Sequence, residues 1–294
     1  MTEVIAAPAA EVTVSRGRGE MPPWRLLLRR PTFIAGAAIL LFWVVCAIFG
    51  HMIAPQDPLA QQLLATNKAP SAAHWFGTDQ LGRDVFSRVI VGARTILVIS
   101  FFATLLGTVA GTALGLAMGY LGGVFDTLAG RIVEAVLALP LLLVVLLFVV
   151  AVGGGGSPLI IIVVIGFVFT PIIARTVRSA VLVEKQQDYL ASARLLGENR
   201  PHIMFVEVLP NVLPPVLVEF TVRLGYAIFT IASLSFLGFG VQQPTPDWGA
   251  DIYANYGVLP AGYWWMTLFP AIAIASLVVA INLVTDSIEQ VLAS

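Results

Sequence analysis

Few side chains in this sequence are placed to make or break a bond. The two lysines, Lys68 and Lys185, follow Asn67 and Glu184, so neither closes the G-x-x-x-x-G-K-[ST] loop that cradles nucleotide phosphates. His51, His74 and His202 stand far apart, without metal-ligand spacing. The one cysteine, Cys46, forms no internal disulfide and supports no thiolate metal site. Neither a G-x-S-x-G nor an H-E-x-x-H stretch occurs. The chain is expected to carry no catalytic, cofactor-binding or metal-ligating residue.

Three other groupings are candidates for a role. Glu219 and Arg223 stand four apart in an apolar run, where pairing lowers the cost of charge inside a membrane. They either line a path or neutralise each other structurally. Arg131 and Glu134 repeat the arrangement at a spacing of three. Gly107, Gly111, Gly115 and Gly119 recur every fourth residue on one helix face, where another backbone can approach closely. That row serves either static packing within a bundle or a gate helix sliding against a partner. The third grouping is the stretch 184–211, which reads as helix, glycine, helix. Asp188 suits the dipole of a first turn. Tyr189, Ala193 and Leu196 form an apolar stripe, and Gly197 suits a left-handed stop. Asn199 and Pro201 restart a helix. The following run, with Ile203, Phe205 and Leu209, is too apolar for water and fits a protein groove or a membrane surface.

The elements that hold these groups follow from composition. The 294 residues are 58% hydrophobic and 11% charged, with a mean hydropathy of +0.91. A soluble domain carries roughly 25% charge. So few charges cannot cover a water-facing surface, which excludes a soluble enzyme, and a net charge of -1 provides no field for nucleic acid. Apolar runs at 33–53, 95–120, 132–152, 159–177, 212–239 and 264–288 predict an all-α polytopic fold with six membrane-spanning helices. The stretch Gly153-Gly154-Gly155-Gly156-Ser157-Pro158 separates the third from the fourth. Residues 1–22 read as a disordered tail and 24–30 as a basic amphipathic stretch on the membrane surface. The chain divides into a tail (1–31), a first span with its loop (32–94) and a five-span core (95–294).

Charge orients the spans. Arg16, Arg18, Arg25, Arg29 and Arg30 precede the first; Arg175, Arg178, Lys185, Arg194 and Arg200 lie around the fourth-to-fifth loop. The loop after the fifth span holds Asp247 and Asp251 and neither Lys nor Arg. The positive-inside rule then places both termini and the 178–209 loop in the cytoplasm of a cell-membrane protein. Lys68, Arg83, Arg88 and Arg94, in the segment 54–94, run against the rule. Tyr253, Tyr256, Tyr263, Trp264 and Trp265 suit an interfacial aromatic belt on the outer side.

Four stretches carry a family resemblance. Tyr189-Leu190-Ala191-Ser192-Ala193-Arg194-Leu195-Leu196-Gly197, followed by Leu209-Pro210-Asn211, resembles the E-A-A signature of ABC importer permeases. Ala191 stands where that family has Glu, Ser192 replaces the first Ala, and Glu207 replaces the usual Ile. Trp75-Phe76-Gly77-Thr78-Asp79-Gln80-Leu81-Gly82-Arg83-Asp84-Val85-Phe86-Ser87-Arg88 resembles the F-G-T-D-x-x-G-R-D-x-x-S-R segment of dipeptide, oligopeptide and nickel permeases. Leu234 to Gly249 is similar to their L-S-F-L-G-x-G stretch with its closing W-G. Asn282-Leu283 and Asp286 are similar to their N-L-x-G-D, with Thr285 in place of Gly. The likeness covers about residues 24–290 and points to the second permease of a pair.

The resemblance implies the type I fold of an ABC importer permease. It implies ATP-driven import of dipeptides or oligopeptides, with nickel, glutathione or haem as alternative cargo. It further implies a partner permease, two cytoplasmic ATPases holding ATP and Mg, an extracytoplasmic binding protein, and no nucleic acid. Asp188, Tyr189, Ala191, Ser192, Ala193, Arg194, Leu196, Gly197, Pro201, Phe205, Leu209 and Pro210 would form the ATPase-coupling loop. Asp247, Trp248 and Asp251 would meet the binding protein. A secondary transporter is the rival reading, but internal repeats and a set of mid-membrane carboxylates are missing, Glu219 being the lone candidate. A membrane enzyme would need clustered catalytic groups that the sequence lacks.

Overall fold

The computed structural model describes residues 26–153 and 156–292. The tail 1–22, Trp24, Arg25, Gly154 and Gly155 lie outside the described residues. The elements are α1 (Pro31–Ile53), α2 (Val85–Leu121), α3 (Gly123–Leu137), α4 (Leu141–Ala151), α5 (Pro158–Glu184), α6 (Asp188–Leu195), α7 (Arg200–Phe236), α8 (Trp248–Asn255) and α9 (Trp265–Leu292). No strand occurs among the described residues; two isolated bridges, Thr78 with Asp84 and Gly156 with Val241, stand alone. Five helices are long and apolar enough to cross a membrane, and a sixth crossing results if α3 and α4 count as one.

Local chemistry sets most of the ends. Pro31 and Pro158 open α1 and α5, where a missing N–H costs nothing. Asp84 caps α2 by accepting the Ser87 N–H at 2.8 Å, and Asn199 caps α7 by accepting the His202 N–H at 2.9 Å. Gly122 closes α2 with φ +67°.

Three expectations about span limits are corrected. The third span is not one helix over 132–152. It breaks between Leu137 and Leu141 with a 94° bend, because Pro140 disfavours helical backbone at Leu139 and breaks the ladder. The second span is longer than 95–120. Its 37 residues begin at Val85, about 55 Å of helix at 1.5 Å per residue, so the segment 54–94 ends in helix rather than loop. The restart at Asn199 does not make a separate short helix either. It runs through a π-helical turn at Ile203–Val208 into the fifth span, a single helix of 37 residues.

The bundle is organised around α2, which packs against α1, α5 and α7, while α9 rests on α1 and α7. The most apolar windows of α2 and α5 are 56% buried and that of α1 only 22%, so α1 lies at the periphery. The glycine row explains the closeness of α2 to α5. A Cβ at Gly107 would lie 2.8 Å from Phe169 Cβ, at Gly111 2.7 Å from Ile173 Cβ, at Gly115 2.5 Å from the Ala174 carbonyl and at Gly119 2.7 Å from Val181 Cβ. The row thus packs against the chain's own α5. Replacing Gly111 or Gly115 with Leu should overpack this seam at a cost of ~1–3 kcal/mol. A lower melting temperature of the detergent-solubilised protein is expected; an unchanged one would mean that the seam opens freely.

Candidate functional site

The two ends of the bundle are built differently. At one end the segments 54–84 and 237–264 close over the helices as a polar cap. Asp79 folds its own turn, accepting the N–H groups of Leu81 and Arg83 at 2.9 Å each and the Arg83 Nε–H at 2.6 Å. Asp84 accepts the Ser87 hydroxyl at 2.7 Å and lies 3.0 Å from His74 Nδ1. Arg88, 2% exposed, donates Nε–H and Nη2–H to Asp251 at 2.5–3.1 Å. Its remaining nitrogen reaches the carbonyls of Pro58 at 3.1 Å and Pro244 at 3.3 Å. The Trp248 indole donates to the Val89 carbonyl at 2.8 Å, and Gly92 leaves room for its ring. Trp265 donates to the Thr78 carbonyl at 3.1 Å.

This arrangement corrects the expected binding-protein contact. Asp247, Trp248 and Asp251 are all buried. Asp251 is neutralised by an arginine 163 positions away, a pairing that sequence spacing does not reveal. Of the five aromatics expected to form the belt, Tyr253, Tyr256 and Trp264 are exposed; Trp265 is not part of a belt but a buried strut. The cap also accounts for two of the four misplaced positive charges, since Arg83 and Arg88 are both spent on buried aspartates. That breach of the charge rule was the one signal in the sequence from which the pair could have been found.

At the opposite end α6 is tied down on both sides. The Tyr189 hydroxyl donates to Glu184 Oε1 at 2.6 Å and accepts from Asn211 Nδ2 at 2.9 Å, and Asn211 also donates to the Glu207 carbonyl at 2.8 Å. Burial and the bond to Glu184 push the Tyr189 hydroxyl up to about 12, so it stays a donor at any physiological pH. Lys185 donates to the Tyr120 carbonyl at 2.8 Å, and Lys185 and Arg194 both sit over the Tyr120 ring. Arg178 grips Asp126 of α3 through two bonds of 2.5 and 2.6 Å.

Gly197 ends α6 with φ +80°. The Glu198 N–H reaches the Ala193 carbonyl at 3.2 Å and the Gly197 N–H the Arg194 carbonyl at 3.1 Å, a Schellman stop. The stripe is shifted from its expected position. Leu190 and Ala193 face inward, while Leu195 and Leu196 are 89% and 82% exposed. α6 ends at Leu195, so Leu196 swings off the helix face. Asp188, Ala191, Ser192 and Arg194 are exposed, as are Pro201, Phe205 and Val206 on the following turns, whereas Ile203, Met204 and Val208 pack inward. Leu209 is half-buried and Pro210 exposed. Glu219 and Arg223 do pair, at 2.6 Å. Arg131 and Glu134 lie 3.6 Å apart, both exposed on α3.

The comparisons decide what this arrangement belongs to. The model of the binding-protein-dependent transport system inner membrane component matches residues 111–294. That of the N-terminal TM domain of oligopeptide transport permease C matches residues 23–70. The chain belongs to this permease family. The permease is 38% identical over 272 residues to the dipeptide transport system permease protein DppC of Bacillus subtilis, covering 92% of this chain and 83% of that one. It is 40% identical over 275 residues to the glutathione transport system permease protein GsiD of Escherichia coli, covering 92% and 88%. A chain of the inward-facing MetNI methionine ABC transporter superposes with a TM-score of 0.56 at 21% identity, covering 69% of the permease and 96% of that chain, and so shares its fold. The permease is a multi-pass membrane protein of the ABC importer type.

Within the cap, burial pushes the Asp247 carboxyl up to about 6, although the Ala250 N–H at 2.9 Å holds it down in part. A carboxyl raised in the folded state binds its proton more tightly folded than unfolded. The folded permease is therefore relatively stabilised below the unfolded value near 4, and loses that contribution as pH rises through about 6. Asp247→Asn keeps the cap on α8 and removes the charge. The variant should melt higher than the parent at pH 7.5 and show a smaller gain between pH 7.5 and 5.5; equal pH dependence in the two would overturn this assignment.

Proposed function

We propose that the permease imports small peptides as one of two related membrane subunits, with two ATPases that hold ATP and Mg and with a binding protein on the opposite face. The exposed apolar surface of Leu195, Leu196, Phe205 and Val206, on a helix pinned by Tyr189 and Asn211, carries this reading. Apolar side chains this exposed, at the end of the molecule where Arg175, Arg178, Lys185, Arg194 and Arg200 gather, fit a groove in a cytoplasmic partner. Because α6 is tied to the ends of α5 and α7, movement of the partner is transmitted to two spans as a rigid shift. Ala191, in place of the family Glu, removes one charge from that contact. The named relatives handle dipeptide and glutathione. Glutathione is itself a small peptide, so both favour peptide cargo over nickel or haem.

Two measurements test this reading. Leu196→Asp should insert normally yet co-purify with much less ATPase than the parent, because it puts a charge into the apolar contact; full co-purification would place the contact elsewhere. In a Cys46→Ser background, single cysteines at Ser192 and at the exposed Tyr253 should label from opposite sides of the membrane. Labelling of both from one side would remove the proposed orientation.

A further inference from the structure

A pocket of about 420 Å³ opens beside the end of α2, between the close of α5 and the turn from α6 into α7. Lys185, Arg194 and Arg200 line it, and Glu198 is the one carboxylate among its lining residues. Glu198 lies 3.8 Å from His202 Nε2. None of the three cations forms an ion pair among the described residues. Two neighbouring acids are already occupied: Arg178 grips Asp126, and the Tyr189 hydroxyl donates to Glu184. Three cations against one carboxylate leave the pocket with an excess of positive charge.

The cations are held in place by contacts that do not neutralise them. Lys185 is half-buried, donates to the Tyr120 carbonyl at 2.8 Å and lies 5.7 Å from the Tyr120 ring. The Arg194 guanidinium lies 5.9 Å from the same ring. Arg194 shares the face of the buried Leu190 one turn earlier, so it folds against the end of α2 rather than joining the exposed Leu195 and Leu196. The pocket lies where the bundle leaves hydrocarbon. The apolar run of α2 ends at Tyr120, Gly119 packs on Val181 of α5, and Lys185 is about 6 Å beyond Val181 along that helix. The polar layer on each side of a bilayer's hydrocarbon core is about 5–7 Å thick. An apolar row leads away from the pocket. Leu121 lines it and is exposed, and Val124, Phe125 and Leu128 are exposed on one face of α3. Basic pockets between helices at this depth suit lipid phosphates. A free anion has no use for the apolar row, and an acidic protein partner would approach from the side of Leu195 and Leu196.

We propose that this pocket holds the phosphate of an anionic phospholipid, with its acyl chains laid along Leu121, Val124, Phe125 and Leu128; the proposal is independent of the cargo. The test uses the full-length permease in phosphatidylcholine nanodiscs, alone and assembled with its partner permease and ATPases. The probe is a trace of phosphatidylglycerol with a diazirine in its acyl chain, or the matching phosphatidylcholine, and the labelled peptides are read by mass spectrometry. Phosphatidylglycerol should label the stretch 121–128 at least about fivefold more than phosphatidylcholine, the factor that one cation near a membrane surface supplies. Arg200→Glu, at an exposed position, should abolish most of that preference, and Arg194→Lys, which keeps the charge, should retain it. Arg200→Gln replaces the first variant if it fails to insert, with a smaller loss expected. An excess of inorganic phosphate should leave the labelling unchanged, as should assembly with the ATPases. Equal labelling by the two lipids, or a preference that survives loss of the Arg200 charge, would overturn the proposal. Suppression by inorganic phosphate would make the pocket a site for a free anion, and loss of labelling on assembly would make it part of an acidic partner's contact; either result also overturns it.

Discussion

Arg88 is the group on which the cap depends. It is a guanidinium withdrawn from water at the start of α2, and every one of its contacts comes from a different part of the chain: Asp251 in α8, Pro58 after α1, Pro244 after α7. A buried charge of this kind is tolerable only when paired and fully bonded, and removing one partner typically costs 3–5 kcal/mol. The requirement draws three loops to one point. Trp248 then locks the same corner, through its bond to Val89 and its fit over Gly92. The residues most characteristic of the family's loop motifs are therefore mostly architectural in this permease.

The other end follows a different rule. The glycine row sets α2 directly on the backbone of α5, and Arg178 with Asp126 and Lys185 with Tyr120 fasten the lower ends of α5 to α3 and α2. A helix fixed this way moves as a body. α6 inherits that rigidity through Tyr189, while leaving Leu195 and Leu196 uncovered. Stiffness behind an exposed apolar contact is what transmission of motion needs. The cap pairs Arg83 and Arg88 within the chain, whereas Leu195 and Leu196 at the α6 end have no cover; on the proposed reading that asymmetry separates the closed part of the permease from the surface that meets a partner.

Much of this was legible in the residues. Hydropathy alone requires membrane spans, because the chain has too few charges to cover a soluble fold. The Gly-x-x-x-Gly row required close helix contact, Gly197 a left-handed stop, and Asn199 with Pro201 a helix start; each depends on one residue and its immediate neighbours. The 94° break before Leu141 was signalled by Pro140 but hidden by the unbroken hydropathy around it. The fusion of the 199–211 segment with the fifth span was hidden for the opposite reason, since Pro210, Pro214 and Pro215 signal a break yet sit within a continuous helix.

What only the tertiary structure decided was which side of each element had a partner. Composition and spacing carry local preferences, and those depend on neighbours three or four residues away. Whether a glycine row meets α5 or another subunit, or whether Asp251 meets solvent or Arg88, depends on contacts across 60 to 160 positions. Such contacts are selected by the packing of the whole bundle, and no short stretch encodes them. For that reason the sequence by itself determined the class, the presence of apolar membrane-spanning runs and the stop at Gly197. The fold alone determined that Asp247, Trp248 and Asp251 are buried and that Leu190 rather than Leu196 anchors α6.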